Sequence, residues 1–107
     1  MGRRSNGSIR KITSMKKKKV KNPMLVNAVE MNHAHPDTFE IPDALELDSI
    51  LPGKHVKVSN DQERFWVEVL ERENDILVGR IDNHLFSRLL KYGDHIQFCT
   101  NNVYDVL

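Results

Sequence analysis

Three residues of the chain have the types and the spacing of metal ligands. His33, His35 and Asp37 alternate along the sequence, and in an extended segment their side chains would point the same way, as metal ligands on a strand do. Pro36 interrupts this segment, and no pair of Cys or His residues at a second ligand spacing completes the set. We therefore expect exposed loop histidines here, with a metal site as the minor alternative, and we predict no cofactor.

Cys99 is the single cysteine and the second residue that could do chemistry. A thiol becomes a good nucleophile when a neighbouring histidine lowers its pKa. His95 lies four residues upstream on the same predicted strand face, which is too far along the strand for direct contact. We therefore predict an unreactive, partly buried thiol. A lone cysteine also excludes an internal disulfide and suits a reducing compartment, so the expected location is the cytoplasm.

Trp66 is the residue best suited to binding a partner. In the predicted strand 64–71, Phe65, Val67 and Val69 share one face, so Trp66 points to the other. Tryptophan is enriched among residues that dominate binding energies. The predicted partner-binding residues are Trp66 and the rim around it, Arg64, Arg80 and Asn83. The alternative is that residues 24–42 or a short helix cover this face and make Trp66 part of a second small core, which is the more common role of a large aromatic residue.

Positive charge is concentrated at the start of the sequence. Residues 1–22 contain nine basic residues and no acidic one, and four lysines stand in a row. The other seven basic residues face all fifteen acidic ones, which leaves residues 23–107 with a charge of −8. Because like charges repel and few apolar side chains could be buried, we predict that residues 1–22 form a flexible basic arm. Its basic residues are Arg3, Arg4, Arg10, Lys11, Lys16, Lys17, Lys18, Lys19 and Lys21.

Such an arm suits phosphate backbones, an anionic membrane surface or an acidic partner. It contains no aromatic residue on which bases could stack, so contact with nucleic acid would be electrostatic and independent of sequence. The alternatives are a solubilising tail and an arm that folds back on the acidic part of the chain.

The elements that position these residues can be predicted from residues 23–107. Residues 24–31 fit a strand or a short helix, and residues 33–42, with two prolines, fit a loop or extended segment. Residues 44–50 fit one short helix that Pro52 and Gly53 end. Alternating apolar residues then predict strands at 55–58, 64–71, 76–81 and 95–99, with a possible bend or bulge at Gly79 and a closing segment at 103–107.

The length of 107 residues leaves room for one domain beside the arm, and no apolar run approaches the roughly 20 residues of a membrane span. Short strands at regular spacing predict a mainly β (α+β) fold. We expect a small antiparallel β-barrel or roll of four to six strands with one short helix, over residues 23–107.

Four short motifs follow one another in the sequence: Phe65-Trp66-Val67, Gly79, Asp82-Asn83 and Gly93-Asp94. Chiefly through these motifs, about residues 35–107 resemble a family of small, mostly bacterial β-rich domains of unknown function. Lys54 departs from the family pattern, where an acidic residue would follow the glycine. The resemblance implies a compact β-rich module and brings no catalytic residues with it.

These observations predict a non-enzymatic binding or adaptor module, which could contact nucleic acid or an acidic partner through its basic arm. A small hydrolase using a metal at His33, His35 and Asp37, or using Cys99, is the alternative from another class. An immunity-type inhibitor that blocks another protein is a further one.

Overall fold

The four strands predicted from alternation form the centre of the molecule in the computed structural model, which describes residues 19–107. The elements are β1 (Val20–Lys21), α1 (Ala28–Ala34), α2 (Ala44–Asp48), β2 (His55–Ser59), β3 (Arg64–Glu73), β4 (Ile76–Ile81), β5 (His95–Cys99), a 3₁₀ turn (Thr100–Asn102) and β6 (Asp105–Val106). The prediction of a mainly β fold is confirmed.

The strands form one six-stranded mixed sheet in the order β1-β5-β4-β3-β2-β6. All neighbours are antiparallel except β1, which runs parallel to β5. The expected barrel is not found in the described residues, because the sheet stays open. The two edge strands, β1 and β6, have two residues each and lie at opposite edges, so they do not provide the pairing that would close the sheet.

The core lies on one face of the sheet, as the alternation of β2 and β3 predicted. Phe65, Val67 and Val69 of β3 are fully buried, and so are Val56 and Val58 of β2. The remaining members of the buried cluster are Ile50, Leu77, Ile81, Leu90, Ile96, Phe98 and Val103. Leu25, Leu47, Leu85 and Val106 pack against it from the flanking segments. We call this the inner face of the sheet and the opposite one the outer face.

The predicted irregularity near Gly79 lies on the facing strand. The register shifts between Val69 and Glu71, so the bulge belongs to β3, while Gly79 stays opposite Val69. A Cβ at position 79 would collide with the Val67 side chain and lie 2.7 Å from the Glu68 backbone oxygen. Gly79 is therefore required by close approach of the two strands rather than by a bend of its own strand.

Two helices are present where one was predicted. α1 occupies part of 24–31, where the pattern left strand and helix open, and Asn27 caps it by accepting a hydrogen bond from the Glu30 N–H at 3.1 Å. α2 begins with a capping box between Asp43 and Glu46. Arg72 of β3 donates hydrogen bonds to the carbonyls of Leu47 and Ile50 and thereby fixes the end of α2 on the sheet.

The folded part of the chain begins earlier than the predicted boundary at residue 22. Val20 and Lys21 pair with His95 and Ile96 as strand β1, so these two residues are not part of a flexible arm. Residues 1–18, which carry most of the predicted arm, lie outside the described residues. Within residues 19–107, no helix has the length and apolarity needed to cross a membrane.

Candidate functional site

The register of the strands assembles a polar surface on the outer face. Lys57 of β2 lies opposite Trp66 of β3, and His55 lies opposite Glu68, whose other neighbour is Arg80 of β4. Because side chains two residues apart share a face, these five form one continuous patch. All five are half-buried, so they remain partly accessible to solvent.

Trp66 lies on this surface with Lys57 over its ring and an open recess beside it. The Lys57 ammonium nitrogen lies 4.9 Å from the centroid of the Trp66 ring, within cation–π distance. An open recess of about 320 Å³ borders the indole, and its walls are His55, Asp82 and Leu107. Trp66 therefore lies on the face opposite the buried Phe65, Val67 and Val69, and it is half-buried there.

Arg64 lies on the same strand face and is stacked on two rings. Its guanidinium carbon is 4.8 Å from the Tyr104 ring centroid and 5.3 Å from that of Phe39. Within residues 19–107 the guanidinium has no hydrogen-bond or ion-pair partner, so its donors are available to a ligand. Burial raises the pKa of Tyr104 above its ordinary value, although the Arg64 charge opposes this. The phenol therefore stays neutral beside Arg64 at neutral pH.

Arg64 and Lys57, which lies opposite Trp66, both line a cleft of about 430 Å³. Its other charged walls are carboxylates, those of Asp37, Glu40, Glu46 and Asp105. A cleft with two cations and four carboxylates repels polyanions, but it can accept one carboxylate at Arg64 and basic groups elsewhere. The charge pattern thus suits a peptide better than a phosphate backbone.

Arg80 and Asn83, the other predicted rim residues, are close to Trp66 but are engaged within the fold. Arg80 donates a hydrogen bond to Glu68 at 2.7 Å, and this carboxylate, with Tyr92, raises the pKa of the guanidinium. The Asn83 side-chain oxygen accepts the Trp66 backbone N–H at 2.8 Å. Their observed contacts therefore position the surface around Trp66.

The predicted metal ligands do not converge. His33 belongs to α1, His35 follows the helix with its ring 5.9 Å from that of Phe39, and Asp37 lies in the next turn. The extended geometry that would have aligned them is wrong, because Asn27 starts a helix that runs through Ala34. All three side chains are exposed, and no group of three potential ligands able to hold a metal occurs in residues 19–107.

Cys99 is a half-buried free thiol at the end of β5. Its backbone N–H donates to the Asn102 side-chain oxygen at 2.9 Å, which fixes the turn after the strand. His95 is buried at the other end of β5, opposite Arg80. The structure therefore does not bring a histidine of this strand to the thiol.

Two features of the structure were missed by sequence reasoning. The first is the pair formed by His55 and Asp82, whose side chains are 2.9 Å apart in the recess beside Trp66. The second is the loop 82–94, from which Phe86 and Leu89 project into solvent. The alternation that predicts a strand at His55 is visible in the sequence. Its pairing with Asp82, a residue that follows β4 two strands away, is a tertiary contact that no local pattern encodes.

Of the predicted arm's basic residues, Lys19 and Lys21 are described. Lys19 is exposed. Lys21 makes an ion pair with Asp94 at 2.8 Å and donates to the Leu89 carbonyl at 3.0 Å, so its charge is used within the fold. The predictions for Arg3, Arg4, Arg10, Lys11, Lys16, Lys17 and Lys18 concern positions outside the described residues.

Comparison with family models, with curated proteins and with solved structures finds no match to this chain. The resemblance to the family of small bacterial β-rich domains therefore stays a prediction.

Proposed function

We propose that this protein is a non-enzymatic module that binds a peptide segment of another protein on the outer face of its sheet. The observation that carries this proposal is the accessible pair of Trp66 and Arg64 on one strand face, with Lys57 on the neighbouring strand beside Trp66. Tryptophan and arginine are the residue types that most often dominate binding energies.

Each of the two residues has a defined task in this proposal. The recess beside Trp66 receives an apolar side chain of the peptide. The Arg64 guanidinium, which lies within cation–π distance of the Phe39 and Tyr104 rings, receives a carboxylate through its unused donors. Because the stacking already restricts the Arg64 side chain, binding costs less conformational entropy than it would for a mobile arginine.

The hydrolase alternative gains no support from a specific arrangement in the described residues. The recess that contains His55 and Asp82 is otherwise lined by Trp66 and Leu107, and neither side chain is a nucleophile. A binding module that joins two proteins acts as an adaptor, whereas one that covers a partner's active surface acts as an immunity-type inhibitor. We propose the adaptor as the leading role.

Selection of a random peptide library on the full chain tests this proposal. Selected peptides should share an apolar and an acidic position and should change the fluorescence of Trp66, the single tryptophan. Trp66→Ala and Arg64→Gln should each weaken binding by about tenfold or more.

Phe86→Ala and Arg88→Gln are the matched controls, because they remove an aromatic residue and an arginine from a different exposed segment. Their binding should equal that of the unaltered chain. A selection in which no peptide depends on Trp66 and Arg64 would contradict the proposal, as would one in which the peptides that do depend on them share no pattern.

A further inference from the structure

A second exposed surface lies at the edge of the sheet near β1, where apolar side chains of two segments come together. Phe86 is 96% exposed, Leu89 82% and Met24 93%. Met24 and Leu89 line a recess of about 350 Å³, and Leu90 lies in its wall. Phe86 does not line this recess but directly precedes Ser87, which does. We call Met24, Phe86 and Leu89, with this recess, the loop patch. Large apolar side chains exposed together on a folded domain mark an interaction site.

The loop that carries this patch is fixed. The Glu63 carboxylate accepts hydrogen bonds from the backbone N–H groups of Phe86 and Ser87. Each of the two nitrogens lies 3.0 Å from Glu63 Oε2. Lys21 binds the Leu89 carbonyl, and Leu85 and Leu90 pack toward the core. Phe86 and Leu89 are therefore exposed because the loop geometry directs them outward. A fixed anchor loses little conformational freedom when a partner binds.

The charges around the loop patch are positive. The two segments that build it, 19–29 and 83–93, contain Lys19, Lys21, Arg88 and Lys91 and no acidic residue. Two carboxylates that bind to these segments, Glu63 and Asp94, are already occupied by backbone N–H groups and by Lys21. Lys19, Arg88 and Lys91 are exposed, and within residues 19–107 their side chains form no ion pair. A partner at this surface thus meets apolar anchors surrounded by available cations.

We infer that the loop patch binds an acidic amphipathic helix of a partner protein. The apolar face of such a helix covers Phe86 and Leu89 and places one side chain in the recess, and its carboxylates face Arg88, Lys91 and Lys19. A nucleic acid fits less well, because Met24 and Leu89 offer no ring for base stacking and Phe86 is the single aromatic anchor of the patch. This surface is separate from the one around Trp66, so the inference does not depend on the proposed function.

The test uses a fluorescently labelled synthetic helix with leucines on one face and glutamates on the other, titrated onto the full chain by anisotropy. We expect it to bind, and we expect Phe86→Ala to weaken binding by about thirtyfold, as at a central interface residue. Replacing both Arg88 and Lys91 with Glu should weaken it by about tenfold or more. A second peptide with lysine in place of glutamate should not bind.

Leu45→Ala is the matched control, because Leu45 is also a largely exposed apolar residue but lies on α2, and it should leave affinity unchanged. Trp66→Ala should also leave it unchanged, which separates this inference from the proposed function. Residues 1–18 are present in every variant, so any binding of the peptide to their positive charge is the same throughout. No detectable binding, equal binding of the lysine peptide, or insensitivity to Phe86→Ala would overturn the inference. A single-stranded RNA that binds more tightly and depends on Phe86 would assign the surface to nucleic acid instead.

Discussion

Gly79 lies at the point where β4 runs closest to β3. Replacing it with alanine would push a methyl group against the Val67 side chain and the Glu68 backbone oxygen. We expect Gly79→Ala to lower the free energy of unfolding by about 2–3 kcal/mol, measured by urea denaturation.

The double variant with Val67→Ala separates the two contacts. Removing the Val67 methyl groups relieves one collision, so the double variant should be less destabilised than the sum of the single variants. If the effects of the two substitutions on the free energy of unfolding are strictly additive, the collision with Val67 is not the reason that position 79 requires glycine.

Asn83 supports the backbone of Trp66 at the end of the β3–β4 pairing. Its side-chain oxygen accepts the Trp66 N–H, while the Trp66 carbonyl accepts the Asp82 N–H. Asn83→Ala should cost about 1 kcal/mol of stability and shift the fluorescence of Trp66, because it leaves the Trp66 N–H without its acceptor.

Asn83→Asp retains an oxygen at the same place and serves as the control. It should retain the hydrogen bond and the fluorescence of the unaltered chain. If both substitutions shift the emission equally, the hydrogen bond is not what positions the indole.

Trp66 and Asn83 show what the sequence can and cannot predict about a single residue. The outward orientation of Trp66 followed from the two-residue period of a strand, which needs no knowledge of neighbouring strands. The task of Asn83 was not predictable, because it depends on where β4 ends relative to β3. The exposure of Phe86 was missed for a similar reason, since Leu85 and Phe86 look alike in sequence and only the fixed loop decides which one faces the core.

At the scale of elements, an ion pair supplements the backbone pairing of β1 with β5. Lys21 reaches Asp94 at 2.8 Å, and the same carboxylate oxygen accepts the Lys91 backbone N–H at 3.0 Å. Burial alone would raise the pKa of Asp94, but the hydrogen bonds from Lys21 and Lys91 outweigh it and hold the pKa below 3.8.

Because folding lowers the pKa of Asp94, the free energy of unfolding depends on pH. As the pH falls through 3.8, the unfolded chain binds a proton at Asp94 before the folded one does, so the stabilisation declines there and is lost below the folded pKa. Asp94→Asn should cost about 1 kcal/mol at neutral pH, a small value because both side chains are partly exposed. The difference from the unaltered chain should shrink at low pH in urea denaturation.

Asp48→Asn is the control for this measurement, because Asp48 is exposed and has no ion pair within residues 19–107. It should change stability little at any pH. A penalty for Asp94→Asn that persists unchanged at low pH would mean that the charge of Asp94 is not the source of the stabilisation.

The central strands were predictable because β2, β3, β4 and β5 each carry their own apolar signal. The edges of the sheet were not. Two-residue strands such as β1 and β6 have no period to detect, and β1 is recruited only because β5 offers an edge next to it. Since closure depends on those edges, the distinction between a barrel and an open sheet lies beyond what local patterns contain.

At the scale of the whole molecule, charge is divided along the chain. Residues 1–18 carry seven basic residues and no acidic one, whereas residues 19–107 carry nine basic and fifteen acidic residues, a charge of −6. A duplex DNA should therefore be repelled by the described part and attracted by residues 1–18. This division was fully readable from the sequence, because net charge does not depend on the fold.

We accordingly predict weak binding of the full chain to unrelated duplex DNA, with affinity that falls steeply with salt. If all seven basic residues neutralise a phosphate, the logarithm of the affinity falls against the logarithm of salt with a slope of about −6. Replacing Arg3, Arg4, Arg10 and Lys11 with Gln should reduce this slope by about four, whereas Lys54→Gln and Arg88→Gln together should leave it nearly unchanged. Anisotropy titrations over a series of salt concentrations measure the slope directly. A slope near zero would show that binding is not electrostatic, and an equal effect of the two sets of substitutions would place the contact on the folded part of the chain.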